Sequence, residues 1–216
     1  MQPYYTFRYY IVVVLASLRF FDLSRNCPTY AGIILFAQDI LGWLPNAYIQ
    51  YVRFAGTTLD ADVVSEKTFQ GDLLSVVRDM NSFVTLFTNQ RPVHRSAIEE
   101  SIVSDYPVVA LRELLMNAIL HRSYEAPAPV RFYQYSDRIE IQNPGPLYGL
   151  ARQDNFPTQT SYRNPILAEA LKTLGAINRF GRGVERAKAA LAKNGNAHPS
   201  FTFGENHFGV TIWNRT

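Results

Sequence analysis

The chain has little cysteine, little excess charge and no long apolar run. Its single cysteine, Cys27, rules out an internal disulfide and cannot by itself start a thiolate zinc site. A reducing, cytoplasmic setting is the plain expectation. Twenty-one Lys and Arg against 18 Asp and Glu leave a formal net charge of +3, too small to imply nucleic acid from composition. Any basic surface has to be local. The one membrane suspect, YYIVVVLASL at residues 9 to 18, is bracketed by Arg8 and Arg19, and a spanning helix needs about 20 apolar residues. A signal peptide is the harder alternative: Arg8 precedes the run, but Arg19 follows at once and no small-x-small cleavage site comes after it. The remaining reading is a buried helix or strand, or a start cut into a longer protein. No low-complexity tract occurs, and 47% hydrophobic with 18% charged residues describes a chain that folds. Its 216 residues suffice for one substantial core or two modest ones.

Residues 28 to 60 read as a strand or short helix around AGIILF, a turn near Pro45-Asn46, and a strand AYIQYVRFAG closed by Gly56. From Glu66 to about Thr88, Phe69, Leu73, Val76, Val77, Met80, Phe83, Val84 and Phe87 recur at helical spacing, which predicts one long core-facing helix. The polar stretch NQRPVHRSAIEES then reads as a connector. A second helix follows in DYPVVALRELLMNAILHRSY, with Asp105 as the expected N-cap and Pro107 near the first turn. PVRFYQYSDRIEIQNPGPL gives a hairpin turning at Ser136-Asp137. NPILAEALKTLGA and GVERAKAALAKNG read as two more helices, and PSFTFGENHFGVTIWN as a closing hairpin. Helices interleaved with antiparallel strands imply an α+β fold with the helices on one face of a sheet.

On the second helix Glu113, Asn117 and His121 stand at steps of four, so they fall within roughly 80° of one another, opposite the leucine stripe. A solvated helix face would look the same. An amide oxygen is, however, a hard ligand suited to Mg²⁺, and a carboxylate one turn away is a candidate base for water.

The ordered set ALRELLMNAILHRSYE, DRIEIQNPG and RNPILAEALKTLGAINRFGRGV resembles the ATP-binding C-terminal region of RecG-related ATP-dependent DNA helicases and transcriptional regulators. That region belongs to the GHKL superfamily of gyrase, Hsp90, histidine kinases and MutL. The resemblance covers about residues 66 to 216 and implies a Bergerat-type two-layer sandwich, with helices on one face of a mixed, largely antiparallel sheet. Residues 1 to 65 would be a small α/β N-terminal segment, with CPTYAGIILFAQD resembling the stretch that precedes the domain. By the same resemblance Glu113 takes the place of the water-activating glutamate and Asn117 that of the Mg²⁺-binding asparagine. Asn143 and Gly145 would line the nucleotide pocket where related ATPases carry Asp-x-Gly, and the Asn143 amide oxygen can still accept from an adenine amino group. Gly181 and Gly183 would let backbone N–H groups approach a phosphate at a helix start.

The chain departs from the pattern at Arg182, where the family usually has Thr, and at Asn178, where it has Glu. Arg182 can pair with a phosphate. His121 and Arg122 belong to the family's HRxY signature, and a hydrogen bond fixing the loop after the helix serves as well as ligand contact. No Gly-x-x-x-x-Gly-Lys-Ser/Thr string occurs, so a helicase motor is not expected. The expected ligands are ATP and Mg²⁺, with hydrolysis left open. The second reading is a degenerate pocket in a DNA-binding or protein-interaction module, its basic patch made of Arg179, Arg182, Arg186 and Lys188. DNA and a homodimeric copy are the partners the resemblance leaves open, and no membrane partner is expected.

Overall fold

The computed structural model describes residues 3–88, 90–94, 100–159, 161–177 and 181–215. Its elements run α1 (Pro3–Ser17), β1 (Phe21–Asp22), β2 (Cys27–Pro28), α2 (Tyr30–Phe36), β3 (Ile49–Phe54), β4 (Val63–Phe69), α3 (Leu73–Phe87), β5 (Gln90–His94), β6 (Glu100–Ser104), α4 (Val108–His121), β7 (Val130–Gln134), β8 (Arg138–Pro144), α5 (Pro165–Thr173), α6 (Gly183–Asn194), β9 (Ser200–Phe203) and β10 (His207–Trp213). Six strands form the main sheet in the order β4-β3-β7-β8-β10-β9. Every neighbouring pair is antiparallel except β3 and β7, which run parallel. The fold is α+β with a mixed, largely antiparallel sheet, as expected.

Strand alternation sorts the side chains onto two faces. Tyr51, Phe132, Ile141, Val210 and Phe201 occupy one row across five strands. They join the core that the helices supply through Leu73, Met80, Leu111, Leu115, Leu167 and Leu191. Leu111 and Leu115 are fully buried, each worth roughly 1.5–3 kcal/mol of transfer free energy. Among the described residues the opposite face carries a small buried cluster of Val52, Phe54 and Tyr135. One covered face and one largely open face make a two-layer molecule.

Several expectations change in detail. The long helix expected from Glu66 is a strand and then a helix, because β4 ends at Phe69 and α3 begins at Leu73. Gly71 takes a φ of 113°, and the Asp72 carboxylate accepts from the Ser75 N–H at 3.0 Å, which starts α3 afresh. The division after residue 65 falls inside β4, whose partner β3 pairs in turn with β7. The connector after α3 contains the antiparallel ribbon β5–β6. Pro107 occupies the N-cap position of α4, two residues after Asp105. The apolar N-terminal run lies in helix α1, yet Tyr9 and Tyr10 are 71% and 68% exposed rather than buried. Among the described residues no helix is long and apolar enough to cross a membrane.

Two joints fix the helices that matter most below. α6 ends at Gly195 in the left-handed conformation, and the next residue, Asn196, donates to the carbonyls of Asp105 at 2.8 Å and Trp213 at 3.0 Å. Asn194 donates to Ser104 O at 2.7 Å. The far end of α6 is thereby tied to the start of α4 and the end of β10.

Candidate functional site

A cleft opens between α4, the strands β8 and β10, the start of α6 and the loop of residues 146 to 162. It forms because α4 buries its leucine face in the core and turns Glu113, Asn117 and His121 away from that stripe. All three line the cleft, together with Asn143, Gly181, Arg182 and Gly183. Gly145 does not join them. It sits at the end of β8 in a separate depression, with φ 100°, where an added Cβ would stand 3.1 Å from Ser123 Cβ and 3.3 Å from an Arg163 guanidinium nitrogen.

The first turn of α6 meets the middle of α4 at Gly183. A Cβ there would lie 3.0 Å from both Glu113 Oε2 and Asn117 Nδ2. Glycine is needed for this approach, since any side chain would press into the two polar groups. Asn117 Nδ2 is buried and has no hydrogen-bond partner. An orphaned buried amide is costly, about 1–3 kcal/mol, and it asks for a ligand. Beside it the α6 N-cap, Arg182, makes no side-chain capping bond, so the first N–H groups of a 12-residue helix face the cleft uncapped by a side chain.

Glu113 is not solitary. Arg186, one turn into α6, places Nη1 2.6 Å from Glu113 Oε1, with the carboxylate side chain 17% exposed and the guanidinium 43%. The sequence reading placed Arg186 in a basic patch and missed this pairing, which joins positions 73 apart in sequence with no local signal. Of the other members, Lys188 pairs with Glu185 at 3.0 Å, and Arg179 lies outside the described residues, as does Asn178. Two of the patch's cations are therefore already matched to carboxylates.

The C-terminal end of α4 is built differently. Arg122 is 2% exposed, and its guanidinium donates to the carbonyls of Asn46 at 2.7 Å, Ala128 at 3.2 Å and Tyr48 at 3.3 Å. Asn164 Nδ2 donates to Leu120 O and Arg122 O, both at 2.9 Å, and Arg163 donates to His121 O at 3.0 Å and Pro146 O at 2.8 Å. These side chains satisfy the carbonyls that a helix end leaves open. Nothing local to the RNP string signals this task, because its bonds reach residues about 40 positions earlier. Asn143, buried at the end of β8, matches its surroundings when its amide nitrogen donates to Ala118 O at 2.9 Å and its oxygen accepts from Arg122 N at 3.3 Å. His121 stacks on Tyr162 with ring centroids 5.4 Å apart. Burial, and then the nearby Arg163 charge, hold its pKa below the usual histidine value, so the ring is neutral at pH 7.

The far wall of the cleft is aromatic. Phe156, from the 146 to 162 loop, lies 5.0 to 5.5 Å from the rings of Phe201, Phe208 and Phe203, which holds that loop against β9 and β10. Among the described residues no three His, Cys, Asp or Glu side chains gather to hold a metal by themselves.

The comparisons agree with this architecture. The crystal structure of the DIP2311 protein from Corynebacterium diphtheriae is similar, with a TM-score of 0.76 over 94% of this chain at 19% identity. The chain spans 41% of that protein's length. No curated protein matches. The family described as "Putative ATP-dependent DNA helicase recG C-terminal" matches residues 128–212, a stretch that includes Asn143, Gly183 and Arg186 and begins after α4. Over residues 128–212 the chain is therefore similar to a RecG-related, ATPase-like domain.

Proposed function

We propose that the chain is a Bergerat-type, GHKL-like module that binds ATP with Mg²⁺ in the cleft between α4 and the α6 turn, as part of a RecG-related regulator rather than a helicase motor. The observation that carries this reading is the buried Asn117 Nδ2, a donor without a partner that suits a phosphate oxygen, set beside Glu113 and against the side-chain-free Gly183. That arrangement suits a phosphate chain: the α6 N–H groups and Arg182 receive the anion, and glycine leaves room for it. Asn117 fits Mg²⁺ through its amide oxygen, in the way this ion is bound by one or two protein groups plus phosphates and water rather than by a protein cage. Bound there, the ion would neutralise phosphate charge. Glu113 is placed to accept the proton of a water attacking the terminal phosphorus as ADP departs, a slow hydrolysis resting on positioning. Asn143 has committed its amide to α4, which moves the expected adenine contact toward the neutral His121, Tyr162 and the aromatic wall.

The test is a thermal-shift titration with ATP, ADP and GTP, each with and without Mg²⁺, since a ligand of the folded state raises the melting temperature. A Mg²⁺-dependent, adenine-selective rise is expected, and Gly183→Val should erase it while the protein still folds. Folded protein that shifts with no nucleotide would reject the reading.

A further inference from the structure

The apolar N-terminal run stays open after folding. None of residues 8 to 17 is buried, and the main neighbour of α1 is the two-residue strand β1. The helix has two different sides. Val12, Val13, Leu15 and Ala16 are half-buried, whereas Tyr10, Ile11, Val14 and Leu18 are exposed. Leu18 still follows the helix, since its N–H donates to Val14 O at 3.1 Å. At 100° per residue the four exposed side chains fall within about 100° of one another and form one open apolar stripe. α2 lies against the C-terminal end of α1: Thr29 Oγ1 donates to Arg19 O at 2.8 Å, and Phe20 packs edge-on against Phe36 with ring centroids 5.3 Å apart. There it adds the exposed rings of Tyr30 and Phe36. At roughly 200 Å² for a whole aromatic side chain and somewhat less for an aliphatic one, these six residues leave about 600 Å² open, at the upper end for a monomer.

The chemistry of the stripe narrows what covers it. Arg8, the one ionised side chain of α1, stands about 120° round the helix from Val14, so the stripe carries no charge. An acidic or basic partner finds nothing there to pair with. A bilayer fits poorly, because the 15 residues of α1 span about 22 Å and a hydrocarbon core is about 30 Å thick. A helix lying among headgroups carries a cation-rich polar face, where α1 has one arginine. A second copy matches in both polarity and charge, and a two-fold axis closes both stripes in one contact of about 1,200 Å², the size at which specific interfaces begin. We infer that α1 is a homodimer contact, packed across a two-fold axis against α1 of a second copy through Tyr10, Ile11, Val14 and Leu18, with Tyr30 and Phe36 beside it. No residue of α1 lines the cleft among the described residues, so the dimer forms with or without nucleotide and the inference stands apart from the nucleotide reading.

Sedimentation velocity on the whole chain from about 1 to about 100 µM, for the wild type, Val14→Glu, Tyr10→Glu and Leu86→Glu, tests this. The wild type should pass with concentration to a species of twice 24.6 kDa. Val14→Glu and Tyr10→Glu should each raise the dissociation constant at least about tenfold, since a charge is then buried at the contact. Leu86→Glu, at an exposed leucine of α3, should leave it within about twofold. A wild type that stays monomeric throughout, or a dimer that neither α1 variant weakens, overturns the proposal. The wild type is also spun with vesicles of phosphatidylcholine and phosphatidylglycerol. Monomeric protein that pellets with them, and is released by Val14→Glu, would assign the stripe to a lipid surface and remove the dimer. Should a glutamate variant fail to fold, Val14→Ser and Tyr10→Ser are read by the same dissociation constant, and a value equal to that of the wild type for both counts against the contact.

Discussion

The middle and the end of α4 carry polar residues of similar kind and use them in opposite ways. At the end, Arg122, Asn143, Arg163 and Asn164 give donors to backbone carbonyls, and the chain around them is tied even though Arg122 Nε is buried without a partner. In the middle, one turn earlier, the Asn117 Nδ2 is buried without a partner and Gly183 is pressed against it. A side chain with several bonds to the backbone holds the fold, whereas a buried donor with none costs stability and adds nothing to the tie.

Substitutions along α4 should separate the two regions. The largest loss is expected for Arg122→Ala, which strips three carbonyls of a buried partner; about 2–4 kcal/mol should disappear in denaturant unfolding. Asn164→Ala removes two bonds to the helix end and should cost about 1–2 kcal/mol by the same measurement. His121 gives a smaller, pH-dependent effect. Its folded pKa lies below the unfolded one, so the unfolded chain takes up the proton first. Its contribution is then complete above about pH 6.5 and is lost as pH falls through the lowered folded value. His121→Gln should flatten that part of the stability-against-pH curve, and an unchanged curve would show the ring is not held neutral. Asn117→Ala should lose the least stability, and any change should be upward, because it removes a buried donor that has no partner. It should nonetheless abolish Mg²⁺-dependent nucleotide stabilisation. Retained binding would mean that the middle of α4 is no more a site than its end.

Much of this was legible in the residues. The spacing of Glu113, Asn117 and His121 placed them on one face, and the hairpin at Ser136-Asp137 and the helix after Gly183 stand where turn and periodicity signals put them. β4 was lost because Phe69 continues the apolar rhythm of α3, although Gly71-Asp72 with Ser75 was a readable helix start. The parallel seam between β3 and β7 joins residues about 80 positions apart and leaves no local trace. The same holds for Arg186 on Glu113 and for Arg122 on the carbonyls of residues 46 and 48. Gly145 was misplaced relative to the cleft because a sequence gives the position of a turn but not the direction it faces.

The asparagine joint at the end of α6 has a mechanical meaning. Fixed at residues 194 to 196 and starting at the cleft, the 12-residue helix is a lever arm about 18 Å long, hinged at its far end. A tilt of about 10° at that hinge carries Gly183 by about 3 Å, the length of one hydrogen bond. The fulcrum rests on Ser104, the last residue of β6, so the β5–β6 ribbon is where the angle of the lever would be felt.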